Sequence, residues 1–382
     1  FQEALEVQRQ RSRKSRKNSM PKVSDLHELF ADLSETEFKG YQSLKAKTRV
    51  AAIIVDEQRV SELEPGTFGL IVLDETPFYA TGGGQEHDTG TLVSLPNGEA
   101  VGIVLAVDKS HAGIILHYVK ALGSGITAGQ KINAKVDSLR RNGLARHHSA
   151  THLLHKALGM VLGSEVQQAG SSVEPSRLRF DFSYSKAPTP KEIQRVERLV
   201  NETIMENLAL DVYESTLEQA KTRGAVALFG EKYGDKVRVV EIQGVSSELC
   251  SGTHVSRTGD IGPFLIESES SIAAGIRRIE AVAGLSSLEL IEEARSNLRD
   301  VSDLLETTPE NLRSKILGLK ETIASLRRET AALIADRIGA IAGSLVSDDS
   351  CSLRLGNFRV VYSRQDDMGS NELRDLGDEL ID

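Results

Sequence analysis

Cysteine is scarce: Cys250 and Cys351 are the two present in 382 residues. Thiols so far apart make no disulfide framework, so a reducing, cytoplasmic setting is the expectation. No unbroken run of about 18 apolar residues occurs, so no membrane span is expected. The opening stretch, FQEALEVQRQRSRKSRKNSM, has no apolar core and does not read as a secretory signal. It also lacks an initiating Met, and the expectation is a piece of a longer chain. Net positive charge is missing as well. The formal charge of −9 excludes a uniformly basic coat but not a local basic face for nucleic acid.

What is present is ordinary for a soluble protein: 40% apolar and 26% charged residues, with length for two to four domains. Charge is uneven. Six of the nine residues at 9–17 are basic, whereas residues 366–382 hold seven acids and one Arg. Each run reads either as a solvated face or tail or as a functional patch.

Residues 41–137 carry short β-rich runs (RVAAIIV, FGLIVL, AVGIVLAV, GIILHYV) between turn signals, which predicts a small antiparallel barrel or sandwich. Within it lies DETPFYATGGGQEHDTG. Its glycines, Gly82, Gly83 and Gly84, are followed by no Lys-Ser/Thr and open no helix, so a nucleotide P-loop is not expected. A tight turn that brings backbone close to something is the plainer reading.

Residues 138–284 read as α+β. Apolar spacing predicts a helix over 141–162, ended by Gly163. Two strands joined by a turn at 174–176 follow, then a helix from Thr189-Pro190 to about residue 208. Strands near 210–214 and 237–242 precede a loop holding Cys250, and GPFLIESES and GIRRIEAVAG close the region as strands. From residue 288 two apolar stripes at 3-4 spacing change phase at Pro309. They predict two antiparallel helices, packed on each other, on the preceding domain, or across a dimer seam. After residue 344, FRVVYS reads as a strand and NELRDLGDELI as a helix start, too short to form a core alone.

The chemistry concentrates in two places. HHSATHLLH places His148 and His152 four apart, one turn apart on one helix face. ELCSGTHV places Cys250 and His254 four apart in a glycine-containing loop. Three imidazoles and a thiolate are a donor set that suits Zn2+, if the fold joins segments about a hundred residues apart. His155 shares the helix face and is a rival ligand, whereas His147 points about 100° away toward solvent or backbone. A zinc protease carries Glu directly after its first His; here Ser149 stands there, so peptide hydrolysis by that route is not expected. An activated ester fits better.

TPFYATGGGQ, HSATHLL, RFDFS, CSGTHV and GIRRIEAVAG occur in this order in alanyl-tRNA synthetases, and the chain resembles that family over nearly its whole length. Free-standing alanyl-tRNA editing proteins share the barrel and editing motifs but generally lack the basic lead-in. The threonyl-tRNA synthetase editing domain shares part of the His motif but not these glycines. The resemblance implies an α+β organisation: the end of an upstream tRNA-recognition helical domain (1–35), a β-barrel (36–138), a zinc editing domain (139–285), a helical hairpin (286–345) and a truncated C-terminal tRNA-binding domain (346–382). The ATP-dependent core that charges tRNA(Ala) with alanine is expected to be absent from this piece.

The implied activity is hydrolysis of tRNA(Ala) mischarged with serine or glycine. The implied zinc ligands are His148, His152, Cys250 and His254. Gln168 matches a glutamine important for editing, and Thr151 a threonine that helps sense the substrate hydroxyl. Two departures stand out: Ser251 replaces the first of two glycines after the Cys, and Thr81 stands where an acid is common. Four protein ligands ordinarily mark a structural zinc. Either one is displaced, or the ion orients the substrate while Gln168 and backbone groups hold the water. Gly83 and Gly84, Arg277 and Arg278, Arg140, Arg141 and Arg146, and the basic lead-in are the candidate tRNA contacts, and such contacts would be salt-sensitive. A homodimer through the hairpin or the C-terminal piece is a further expectation. The alternatives are a free-standing editing deacylase and a non-catalytic tRNA-binding or dimerising appendage with a structural zinc.

Overall fold

A computed structural model describes residues 29, 32–95, 97–110, 112–226 and 234–381. The basic stretch at 9–17 and the helix expected to lead into it lie outside the described residues. The chain divides into two compact units, one extending to Ile291 and one from Glu292.

In the first unit six antiparallel strands close a barrel. They are β1 (Lys45–Val55), β2 (Phe68–Leu73), β3 (Gly90–Ser94), β4 (Ala100–Lys109), β5 (Ile115–Ala121) and β6 (Lys131–Val136), in the order β6-β3-β4-β5-β2-β1, with β1 pairing back to β6. The sequence left barrel and sandwich open; the β1–β6 ladder decides for the barrel. Val50, Ile53, Ile71, Leu92, Val104, Val119 and Ile132 fill one core cluster. A second cluster on β1, β2 and β5 (Ala52, Ile54, Leu70, Val72, Leu116) is covered in part by Leu29 and Leu33. Burial on both faces explains why FGLIVL is continuously apolar rather than alternating.

One residue beyond β6, Asp137 caps helix α1 (Ser138–Leu162), its carboxylate accepting from Leu139 N at 2.9 Å. Gly163, at φ +113°, ends the helix as the sequence predicts. Strands β7 (Gln168–Val173) and β8 (Leu178–Ser183) form the expected hairpin, closed by Glu174 N to Arg177 O at 2.9 Å. Helix α2 (Pro190–Met205) starts on a full capping box between Thr189 and Glu192. It stops three residues short of the predicted end, because Asn207 takes the left-handed conformation at φ +52°.

Strands β9 (Leu210–Thr216), β10 (Lys236–Ile242) and β11 (Ser246–Leu249) make a three-stranded sheet, with the short helix α3 (Leu217–Thr222) after β9. Strands β12 (Phe264–Ala273) and β13 (Ile276–Ala283) complete a four-stranded antiparallel sheet, β7-β8-β13-β12. Leu153, Leu154 and Leu158 of α1, Val196, Val200 and Ile204 of α2, and Phe180, Phe182 and Ile279 of the sheet form its core. The apolar face of α1 is therefore anchored, which fixes where its histidines point.

Helix α4 (Leu285–Leu304) crosses into the second unit, and α5 (Leu312–Ser347) follows a 3-10 turn opened by Pro309. The helix break thus falls at the predicted proline. Leu298, Val301, Ile316, Leu319, Ile323, Leu326 and Leu333 of the two stripes are exposed. No unbroken run of about 18 apolar residues exists, yet α5 with its opening turn matches a membrane-crossing helix in length and average composition. In its second half Ile338, Ala342 and Leu345 bury instead against Leu376 of α6 (Ser370–Glu379), near the hairpin of β14 (Ser352–Leu355) and β15 (Phe358–Val361). The final segment thus gains a small core by borrowing the end of α5.

Candidate metal centre

Helix α1 holds the His148 and His152 rings parallel, with centroids 5.4 Å apart and an interplanar angle of 3°. The loop leaving β11 brings Cys250 and His254 to the same place. Cys250 stays tied to the sheet through its N–H on Arg238 O at 3.0 Å. One ligand atom from each of the four residues falls within a span of 4.8 Å. The Cys250 sulfur lies 3.3 Å from His148 Nε2 and 3.3 Å from His254 Nε2. Donors around a tetrahedral zinc with bonds of about 2.0–2.3 Å sit roughly 3.3–3.6 Å apart; the two Cys250 separations match this, and the widest span of 4.8 Å would have to contract around an ion.

Each of the three rings is held from behind at Nδ1. His148 Nδ1 lies 2.7 Å from Gln85 Oε1, His152 Nδ1 2.6 Å from Glu248 Oε2, and His254 Nδ1 3.1 Å from Ser149 Oγ. Carboxylate and carbonyl oxygens only accept, so the ring proton of His148 and of His152 belongs on Nδ1. The lone pair then faces the centre at Nε2. His152 Nε2 is buried and has no hydrogen-bond partner. A buried polar atom left without a partner is costly, and a cation at the centre would satisfy it once the ring gives up its Nε2 proton.

Electrostatics favour the metal-binding form at Cys250 and His254 and oppose it at His152. Burial opposes a charged Cys250, but the imidazoles of His148 and His254 outweigh it and hold the thiol well below its ordinary value. Burial likewise opposes ionised Glu248, yet His152 and His155 keep it well below the usual carboxylate range. Burial pushes His254 down to about 3, leaving it neutral. Burial opposes a charged His152, but the Glu248 carboxylate beside it outweighs this and raises it to about 10; zinc binds a thiolate and neutral imidazoles, so binding would release the His152 proton.

The loop is shaped to fit. A Cβ on Gly252 would sit 2.0 Å from His148 Cε1, so no side chain is tolerated there. Ser251, beside it, is exposed, which is why the substitution noted in the sequence leaves the donors in place. Arg238 donates to Cys250 O at 2.9 Å and Gly252 O at 2.8 Å while lying over the Tyr41 ring at 3.9 Å. The Tyr41 hydroxyl donates to Ser251 O.

A cavity of about 240 Å3 opens beside the cluster and is lined in part by Gly83, Thr151, Gln168, Ser251, Lys236 and Arg238. Gln168 donates to Ser171 Oγ at 3.1 Å, and Thr151 donates to its own helix at His147 O, 2.8 Å away. Gly84 is the close approach that the sequence suggested. A Cβ there would meet Ser171 Oγ at 2.6 Å and Ser171 O at 2.9 Å, so the barrel's glycine loop rests directly on β7. Thr81 faces His87 Nδ1 at 3.2 Å and is not part of the cavity lining.

Several sequence candidates lie elsewhere. His155 faces Glu248 at 3.6 Å rather than the cluster. His147 is buried rather than solvent-facing, with backbone partners at Gly143 O and Ala283 N. Arg277 is clamped on Glu269 at 2.5 and 2.7 Å, and Arg278 on Asp181 at 2.7 and 2.8 Å. Their charge is neutralised where they stand, and neither lines the cavity. Arg141 is buried on Asp88, Gly40 O and Pro77 O, and therefore welds α1 to the barrel instead of facing a ligand. Arg140 pairs with Glu86 at 2.8 Å, and Arg146 donates to Asp260 O at 3.0 Å. Sequence reasoning missed Gln85, Glu248, Ser149 and Arg238. The signal available was adjacency: Gln85 ends the GGGQ run, Glu248 stands two residues before the Cys, and Ser149 follows the first His.

Among known proteins, the chain is similar to tRNA synthetases. The family described as tRNA synthetases class II (A) matches residues 1–140. The family described as the threonyl and alanyl tRNA synthetase second additional domain matches residues 237–280, which include Cys250 and His254. An alanine–tRNA ligase of Thermoanaerobacter sp. (strain X514) is 41% identical, covering 100% of this chain and 43% of the relative. One of Coxiella burnetii (strain Dugway 5J108-111) is 44% identical over 87% of this chain and 38% of the relative. One of Thermotoga petrophila is 41% identical over 93% of this chain and 40% of the relative. The chain is a homologue of the alanine–tRNA ligases, matching a segment that makes up about two fifths of their length.

Proposed function

We propose that this chain carries the editing activity of an alanine–tRNA ligase: zinc-dependent hydrolysis of Ser-tRNA(Ala) and Gly-tRNA(Ala), in a cytoplasmic setting. In this reading residues 36–138 are the barrel, 139–285 the editing domain, 286–345 a hairpin able to dimerise, and 346–382 the start of a tRNA-binding domain. The observation that carries it is the convergence of four donors with every imidazole backed at Nδ1, beside a cavity.

His148, His152, Cys250 and His254 would hold the ion. Bound zinc would supply Lewis acidity toward an ester carbonyl or a fixed anchor for the aminoacyl group. The chain's own residues do the rest. Gln168 and Thr151 border the space where the seryl side chain would lie. Lys236 and Arg238 put positive charge at the cavity wall, where the phosphates of an acceptor end would approach. An aminoacyl ester is far more labile than a peptide, so orientation and charge stabilisation suffice without the protease glutamate.

Four protein donors fill a tetrahedron, which also favours a second reading: a tRNA-binding appendage with a structural zinc. One assay separates them. The zinc-loaded chain is expected to release serine from Ser-tRNA(Ala) faster than buffer does, and Gln168→His to lose that rate while staying folded. No release above buffer would leave the appendage.

A further inference from the structure

Gln85 is fully buried, and both ends of its amide are engaged. The Thr253 backbone N–H can only donate, so the amide atom 2.9 Å from it is the oxygen. The same oxygen is the atom 2.7 Å from His148 Nδ1. It cannot donate, so Nδ1 carries the ring proton, and His148 presents its Nε2 lone pair toward Cys250. The amide nitrogen donates to Thr253 Oγ1 at 3.0 Å, which locks the side chain against rotation.

We propose that Gln85 is a positioning residue of the metal centre: from the barrel, it fixes the His148 tautomer and pins the Cys250–His254 loop to the same oxygen. This rests on the zinc reading above. Glu248 and Ser149, which back the other two imidazoles, belong to the α+β half of the unit. Among the described residues, the partner of His148 Nδ1 is the one that comes from the barrel.

Gln85 is also held from the barrel side. It exchanges backbone hydrogen bonds with Gly82 at 3.0 and 3.1 Å. Its neighbours dock on β7 through Val173 N to Gly84 O at 2.8 Å and Glu86 N to Val173 O at 3.0 Å. The barrel therefore completes the centre, and metal affinity depends on its glycine loop staying seated.

The test uses the full chain as wild type, Gln85→Met and Gln85→Glu. Zinc affinity is measured by chelator competition, the Co2+-substituted absorption spectrum is recorded, and the melting point of the metal-free protein is followed. Met keeps length and apolar packing but offers His148 and Thr253 no oxygen; it is expected to weaken zinc by about 10–100-fold. Glu returns the acceptor to both, as Glu248 does for His152, and is expected to restore affinity to within about threefold, with a wild-type Co2+ spectrum. Unchanged affinity in Gln85→Met overturns the inference, as does an equal loss in both variants that follows the metal-free melting point. A wild-type chain that takes up no zinc fails differently: it removes the metal reading itself, and this inference with it.

Discussion

At the scale of single residues, the candidate centre is built from imidazoles each held by a hydrogen-bond partner at Nδ1. The four donors were legible because histidine and cysteine are rare here and the i, i+4 spacing has one geometric meaning on a helix. Replacing His152 by Ala should abolish tight zinc binding and leave Glu248 a buried carboxylate without its partner; titration with zinc under chelator competition checks this. A separate buried imidazole sets an acid limit. His117, in the barrel core, is pushed from 6.5 to about 4 by burial, and it bonds Ile71 O at 2.9 Å and Thr76 Oγ1 at 2.7 Å. The unfolded chain binds this proton first, so the contribution is complete above about pH 6.5 and is lost as pH falls through 4. The full loss is about 3 kcal/mol. Urea midpoints from pH 7 to pH 4 should fall, and His117→Gln should flatten that slope. A variant with an unchanged slope would contradict the assignment.

At the scale of elements, local signals were strong where they coincide with packing. Leu153, Leu154 and Leu158 announced α1, and Thr189-Pro190 announced α2, because those residues both cap or pattern a helix and enter one core. Thr189→Ala should cost about 1 kcal/mol by removing the capping box, read as a lower urea midpoint. The contacts of Gln85, Glu248 and Arg141 were not legible. They join segments tens to hundreds of residues apart, and no periodicity records such a bond. Arg141 and Arg278 illustrate the cost: by sequence each is a spare cation, and in the fold each is spent on an aspartate. Gly84 sits between these cases. The sequence marked a close approach, and the structure names Ser171 as what it approaches. Gly84→Ala, strained at φ +76° and blocked by that backbone, should destabilise the unit by on the order of 2–3 kcal/mol and weaken zinc through the displaced Gln85. Full stability with undiminished zinc affinity would contradict the docking.

At the scale of the whole molecule, the barrel and the α+β half meet at the candidate centre. The barrel supplies the Gln85 oxygen behind His148, and the α+β half supplies the four candidate ligands. Zinc should therefore stabilise the first unit as a whole. Chelation is expected to lower its melting point. The spatial claim on which this depends, one zinc shared by His148, His152, Cys250 and His254, is tested most directly by X-ray absorption at the zinc edge of the loaded full chain. The account predicts one zinc per chain with three nitrogen neighbours at about 2.0–2.1 Å and one sulfur at about 2.3 Å. A shell without sulfur, or an unchanged shell in Cys250→Ala, would contradict it.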